Sequence, residues 1–214
     1  MRYHPPFEEF IQKAHQGNLI PVYREILADL ETPVSAFLKI DQGEHSFLLE
    51  SVEGGEKWGR YSFLGNSPRV IFRTKGRQLE IWENGRLRET KEISDPLEAL
   101  KELLASYTPV TSDNLPRFFG GAVGYLGYDT IRFFEELPDL TEDDLNLEDA
   151  FFILTDNLLI FDNVSHKIKI IYNVLLGDGD LATSYGEAIE QIEETISLLK
   201  KPLEAKSIPQ KGKP

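Results

Sequence analysis

Phe118-Phe119-Gly120-Gly121-Ala122-Val123-Gly124-Tyr125-Leu126-Gly127-Tyr128-Asp129 is the stretch whose reading decides the fold. Four glycines are interspersed among aromatic and aliphatic residues. Glycine inside a strand weakens it unless another group must come close to the backbone. Phe119, Val123 and Tyr125 want apolar partners. The stretch therefore reads as a strand running through the middle of a packed core with another element pressed against it. Asp129 followed by Thr130-Ile131-Arg132-Phe133-Phe134 reads as that strand turning into a short helix.

Strand-rich blocks lie on both sides. Upstream, Ser46–Val52, Arg60–Leu64, Arg69–Arg73, Gln78–Trp82 and Arg86–Arg88 are strand candidates. Gly54-Gly55 reads as a turn, and Asn84-Gly85 is a hairpin signal because both residues accept the positive φ of a tight turn. Downstream, Ala150–Leu154 and Leu158–Asp162 are two very apolar strands, and Lys167–Val174 alternates and pairs with the second of them across a turn at Asn163–His166. A meander of this kind buries one face and wets the other.

Helices frame the strands. Phe7, Phe10, Ile11 and Ala14 follow Pro5-Pro6 at helical spacing and predict a helix over 7–16. Leu19–Tyr23 is extended, with Pro21 pointing to an edge. Thr32-Pro33 is a cap followed by proline at the first helical position, and Val34, Phe37 and Leu38 form the apolar face behind it. Asp95-Pro96 starts a helix with Leu97, Leu100, Leu104 and Tyr107 on one side. Tyr185, Ile189, Ile192, Ile196 and Leu199 predict a last helix over about 182–199, stopped by Pro202. Residues 1–200 read as one domain, and 201–214 as a tail or linker.

Composition narrows the chemistry. The 214 residues carry a formal net charge of -13, which repels nucleic-acid phosphates, so no nucleic acid is expected as a partner. No apolar run is long enough to span a bilayer, and no membrane partner is expected. Cysteine is absent, which removes disulfides, thiolate catalysis and cysteine metal sites and suits a cytoplasmic protein. Eight acidic residues and no Lys or Arg fall between Glu135 and Asp149. This run reads as a solvated loop, since the spaced ligands and glycine turn of a calcium loop are missing. The four histidines are not at metal-ligand spacing, and neither a nucleophile elbow nor a phosphate-binding loop is present.

Two polar segments interrupt apolar strands. In Leu48-Leu49-Glu50-Ser51 the carboxylate of Glu50 could accept a small ligand's ammonium group, and the Ser51 hydroxyl with nearby N–H groups could hold its carboxylate. The plain alternative is a wet strand end. In Arg60-Tyr61-Ser62 the arginine could clamp an anion or simply line a strand edge. Residue chemistry stops at an acidic α+β domain with a possible small-ligand site and no visible catalytic machinery.

The residues Thr32-Pro33-Val34-Ser35-Ala36-Phe37-Leu38-Lys39 and the block Phe47 to Gly65, through Leu48-Leu49-Glu50-Ser51 and Trp58-Gly59-Arg60-Tyr61-Ser62-Phe63-Leu64, closely resemble the amino-terminal region of the large subunit of anthranilate synthase. Phe119–Asp129, Arg132 and Glu136-Leu137-Pro138 resemble the same family further along. The resemblance covers nearly the whole chain. It implies an α+β fold of antiparallel β-sheets forming a sandwich with helices packed outside. It implies a whole subunit that converts chorismate and ammonia to anthranilate and pyruvate. Mg2+ assists through ligands outside this chain, and a glutamine amidotransferase subunit (component II) supplies the ammonia. The chorismate-binding part lies beyond 201–214, so the chain alone is expected to be inactive. The resemblance assigns to this region feedback inhibition by L-tryptophan, with Glu50 and Ser51 receiving the amino-acid head group and Leu49 and Pro33 lining the apolar side. Two other functions compete: the large subunit of aminodeoxychorismate synthase, which shares the glycine-rich block, and a stand-alone amino-acid-binding module.

Overall fold

The computed structural model describes residues 2–41, 43, 45–51, 59–138 and 142–203. The Gly54-Gly55 turn and most of the expected tail lie outside the described residues. Two antiparallel sheets organise the rest. The first has the order β1 (Tyr3–His4), β2 (Leu19–Leu27), β11 (Lys167–Leu175), β10 (Asn157–Asp162), β4 (Tyr61–Gly65), β3 (Phe47–Glu50). The second has the order β7 (Arg86–Glu92), β6 (Gln78–Glu83), β5 (Val70–Lys75), β9 (Ala150–Thr155), β8 (Gly121–Leu126).

The helices are α1 (Phe7–Lys13), α2 (Pro33–Ile40), α3 (Pro96–Ala105) and α4 (Leu181–Leu199). Helices α1, α2 and α4 cover one face of the six-stranded sheet. Phe10, Ala36, Ile40, Ala188, Ile192, Ile196 and Leu199 interlock there with Ile20, Val22, Leu64, Leu159, Phe161, Ile168 and Ile170. Helix α3 covers the five-stranded sheet, setting Ala99, Leu100 and Leu103 against Val70, Phe72, Leu79, Ile81 and Leu154. The second face of the six-stranded sheet is closed by Leu115, Phe118 and Phe119 over Leu158, Ile160 and Ile171. Strand β10 is thus buried on both faces, which is why Leu158–Phe161 is apolar without alternation.

Local signals hold where they rest on backbone chemistry. Thr32 accepts from the Ser35 N–H and donates its own N–H to Ser35 Oγ, closing a capping box in front of Pro33. Asp95 accepts from the N–H groups of Leu97 and Glu98 and starts α3. Asn84 and Gly85 take positive φ between β6 and β7. Pro21 lies in β2 beyond the two residues that pair with β1, so its missing N–H breaks no ladder on that side.

Three expectations need correction. The glycine-rich strand β8 does not run through the middle of a packed core; it is half-buried to exposed, forms a sheet edge and, among the described strands, pairs only with β9. The required close approach is real: a Cβ on Gly124 would sit 1.9 Å from the Phe151 carbonyl oxygen. The buried face of α3 is turned one residue from the expected one, with Pro96, Ala99, Leu100 and Leu103 inside and Leu97 exposed. In α2, Ala36 and Ile40 are buried while Val34 and Leu38 face outward. Short amphipathic helices offer two overlapping apolar stripes, and tertiary packing selects between them.

Candidate functional site

Strand β3 is the outer strand of the six-stranded sheet and pairs with β4, Leu48 opposite Leu64, Leu49 opposite Phe63 and Glu50 opposite Ser62. Side chains alternate across a strand. Leu48 packs into the helix-side core, and Glu50 follows it on that face. Leu49 falls on the other face with Phe47 and Phe63, 45% exposed. Glu50 is exposed, and Ser51 lies just past the strand end, also exposed.

Pro33 is half-buried at the first turn of α2. That helix packs along β3 and β4. Its last carbonyl, on Ile40, accepts from Asn66 Nδ2 at 2.8 Å, beside the Gly65–Phe47 pair. Ahead of the helix, the Ala28 N–H donates to the His166 carbonyl in the turn that follows β10. Pro33 therefore lies at the Glu50 end of the sheet, on the same face as Glu50. Leu49 is on the opposite face. The structure brings Pro33 and Glu50 to one corner, with Ser51 at the strand end between the two faces.

The same corner holds the second polar segment. Arg60 donates from Nε and Nη2 to the two carboxylate oxygens of Asp162, at 3.2 and 2.8 Å, and lies over the Tyr61 ring. The anion that Arg60 clamps is thus Asp162 of the chain itself. Hydrogen bonding from Arg60 outweighs the partial burial of Asp162 and, with the N–H groups of Ser165 and Val164, lowers its carboxyl to about 2. A lowered carboxylate contributes stability that is complete above its unfolded value near 3.8 and lost as the pH falls to about 2. Arg60 is half exposed, so solvent reduces the contribution to about 1–2 kcal/mol. Asp162→Asn should remove about that much stability at pH 7 and leave stability nearly unchanged at about pH 2, measured by urea unfolding at both.

A separate concavity lies elsewhere among the described residues. A cavity of about 540 Å³ opens between β8 and the acidic loop, lined by Lys75, Tyr125, Tyr128, Asp129, Arg132 and Asp149 among others. None of Pro33, Leu49, Glu50 or Ser51 lines it. Composition alone identifies the acidic loop only as solvated; that Tyr125 of β8 lines a cavity with it is a tertiary feature. Among the described residues no group of three His, Asp or Glu side chains is placed to hold a metal ion. Among the same residues no helix is long and apolar enough to cross a membrane.

No protein-family profile matches the chain. Curated proteins do. The chain is 41% identical over 192 residues to anthranilate synthase component 1 of Acetivibrio thermocellus, covering 89% of this chain and 38% of that protein. It is 40% identical over 194 residues to the component 1 of Aquifex aeolicus, covering 90% and 39%. The crystal structure of anthranilate synthase component I from Streptococcus pneumoniae superposes with a TM-score of 0.53 at 25% identity, over 83% of this chain and 37% of that one. The chain is homologous to the amino-terminal region of anthranilate synthase component 1. It spans about two fifths of the length of these relatives. The two antiparallel sheets with helices outside them are the fold expected of that homology.

Proposed function

We propose that the chain is the tryptophan-sensing, amino-terminal part of an anthranilate synthase component 1, with residues 1–200 as its domain and 201–214 leading toward a chorismate-binding part. The observation that carries this reading is the match of about nine tenths of the chain to component 1 proteins at 40–41% identity. The corner formed by Pro33, Glu50 and Ser51 supports the sensing role. A capped helix start fixes Pro33, the ladder with β4 fixes Glu50, and the carboxylate is exposed to meet an ammonium group. Leu49 would serve the ligand from the other face, so the ligand has to wrap the end of β3. The complete subunit would convert chorismate and ammonia to anthranilate and pyruvate in the cytoplasm. Its magnesium ligands lie outside this chain, and component II is its ammonia-supplying partner.

Inhibition through this corner requires tryptophan to bind the inactive arrangement more tightly than the active one. In the complete polypeptide, Glu50→Lys should raise the tryptophan concentration for half-inhibition by about tenfold or more while anthranilate formation stays near its original rate. Steady-state fluorescence of anthranilate checks both. Equal loss of activity and inhibition would defeat the sensing role. Aminodeoxychorismate as the product, with no response to tryptophan, would transfer the chain to the sister enzyme.

A further inference from the structure

A charged strut joins the two ends of α2 to the end of α4. Lys39, in the last turn of α2, donates from Nζ to the Leu199 carbonyl oxygen at 2.8 Å. The same ammonium group pairs with Glu31 Oε1, and Glu31 Oε2 accepts from Ser35 Oγ at 2.7 Å. The Lys39 and Glu31 side chains are 11% and 15% exposed. An ion pair buried to this degree adds little net stability over an apolar pair of the same shape. Its position therefore matters more than its strength.

That position is specific at both ends. Leu199 is the last residue of α4 and is buried. The last turn of α4 carries no basic residue, so the cation that meets its negative end comes from α2. Ala36, Ile40, Ile196 and Leu199 pack in the cluster that holds the two helices together. At the other end, Glu31 and Thr32 are the two residues before Pro33, and Ser35 grips both. Its N–H donates to Thr32 Oγ1 at 3.1 Å while its hydroxyl donates to Glu31. The start of α2, its last turn and the end of α4 thus form one hydrogen-bonded unit.

We infer that Lys39 is a positioning residue for inhibition by tryptophan, coupling Pro33 at the sensing corner to the end of α4, where the chain leads into 201–214. The inference rests on the functional reading proposed for the chain and deepens it by naming the side chain that carries the coupling. A ligand held between Pro33 and Glu50 biases the placement of the α2 start. Glu31 moves with that start, and Lys39 ties Glu31 to the Leu199 carbonyl. The coupling needs only one side chain between two rigid helices, each with a buried face.

The test uses the complete polypeptide and measures the factor by which saturating tryptophan lowers kcat/KM for chorismate. Lys39→Met should reduce that factor by about threefold or more, while calorimetry still finds tryptophan bound. Lys39→Arg keeps the charge and the donors and should preserve the factor. Glu31→Gln combined with Lys39→Met removes both buried charges; it carries the same expectation and replaces Lys39→Met where that variant does not fold. An unchanged factor beside a lowered melting temperature would make Lys39 merely structural and overturn the inference, with the functional reading left standing. Loss of tryptophan binding in Lys39→Met would also overturn it, because Lys39 would then shape the pocket rather than transmit from it. A wild-type polypeptide that makes anthranilate without responding to tryptophan would remove the sensing role and the inference together.

Discussion

Asp156→Ala should lower the melting temperature by about 10 °C. The chain crosses from one sheet to the other from β4 to β5 through 66–69, and from β9 to β10 at Asp156. Arg69 stands at the first crossing and Asp156 at the second. Arg69 Nε donates to Asp156 at 2.8 Å, with the two side chains 16% and 14% exposed. Glu83 approaches the same guanidinium at 3.6 Å and the Tyr107 ring lies under it. Burial pushes the Asp156 carboxyl above its ordinary range despite the pull of Arg69. Removing one partner leaves a buried guanidinium without its main counter-ion, at a cost of about 3–5 kcal/mol, or about 6–20 °C for a domain of this size. A double variant, Arg69→Met with Asp156→Leu, should recover most of the loss, because the desolvation of both charges disappears with them. Thermal unfolding of the three proteins decides it. A loss below about 1 kcal/mol in Asp156→Ala would show that the pair does not hold the crossings together.

Gly124→Val should come close behind, at about 3 kcal/mol. The new Cβ would meet the Phe151 carbonyl oxygen at 1.9 Å and the Phe152 Cα at 2.7 Å. Both are backbone atoms of β9, so no side chain can rotate away. The strand must shift or unpair, which is the costly end of overpacking. Gly177→Ala is the control, with open space around its Cβ and no positive φ; it should be neutral or stabilise by about 0.5 kcal/mol through the unfolded chain. Urea unfolding of the pair checks the contrast. Similar stabilities would mean that β8 contributes little to the cooperative fold.

The candidate site is legible in the sequence to a limited depth. The run Leu48-Leu49-Glu50-Ser51 stands out because a carboxylate and a hydroxyl end an apolar strand. Its neighbour Arg60-Tyr61-Ser62 stands out for the same kind of reason, yet its arginine pairs inward with Asp162. An arginine that binds an outside anion and one that binds a carboxylate 102 residues away look identical in sequence, since only folding brings Asp162 beside it.

Sequence by itself determined the local devices of this protein: the Thr32–Pro33 start of α2, the Asp95 cap, the Asn84-Gly85 hairpin, the doubly apolar β10 and the need for glycine at position 124. These depend on hydrogen bonds and steric limits within a few residues, or on composition that only one environment tolerates. Tertiary structure alone decided that β9 and β10, adjacent in the chain, belong to different sheets, that Arg69 meets Asp156, that Leu49 and Pro33 lie on opposite faces of β3, and that the interior-like β8 stands at an edge. Those outcomes depend on which distant strands find each other, a choice made by the summed burial of three apolar clusters rather than by any single stretch of the chain.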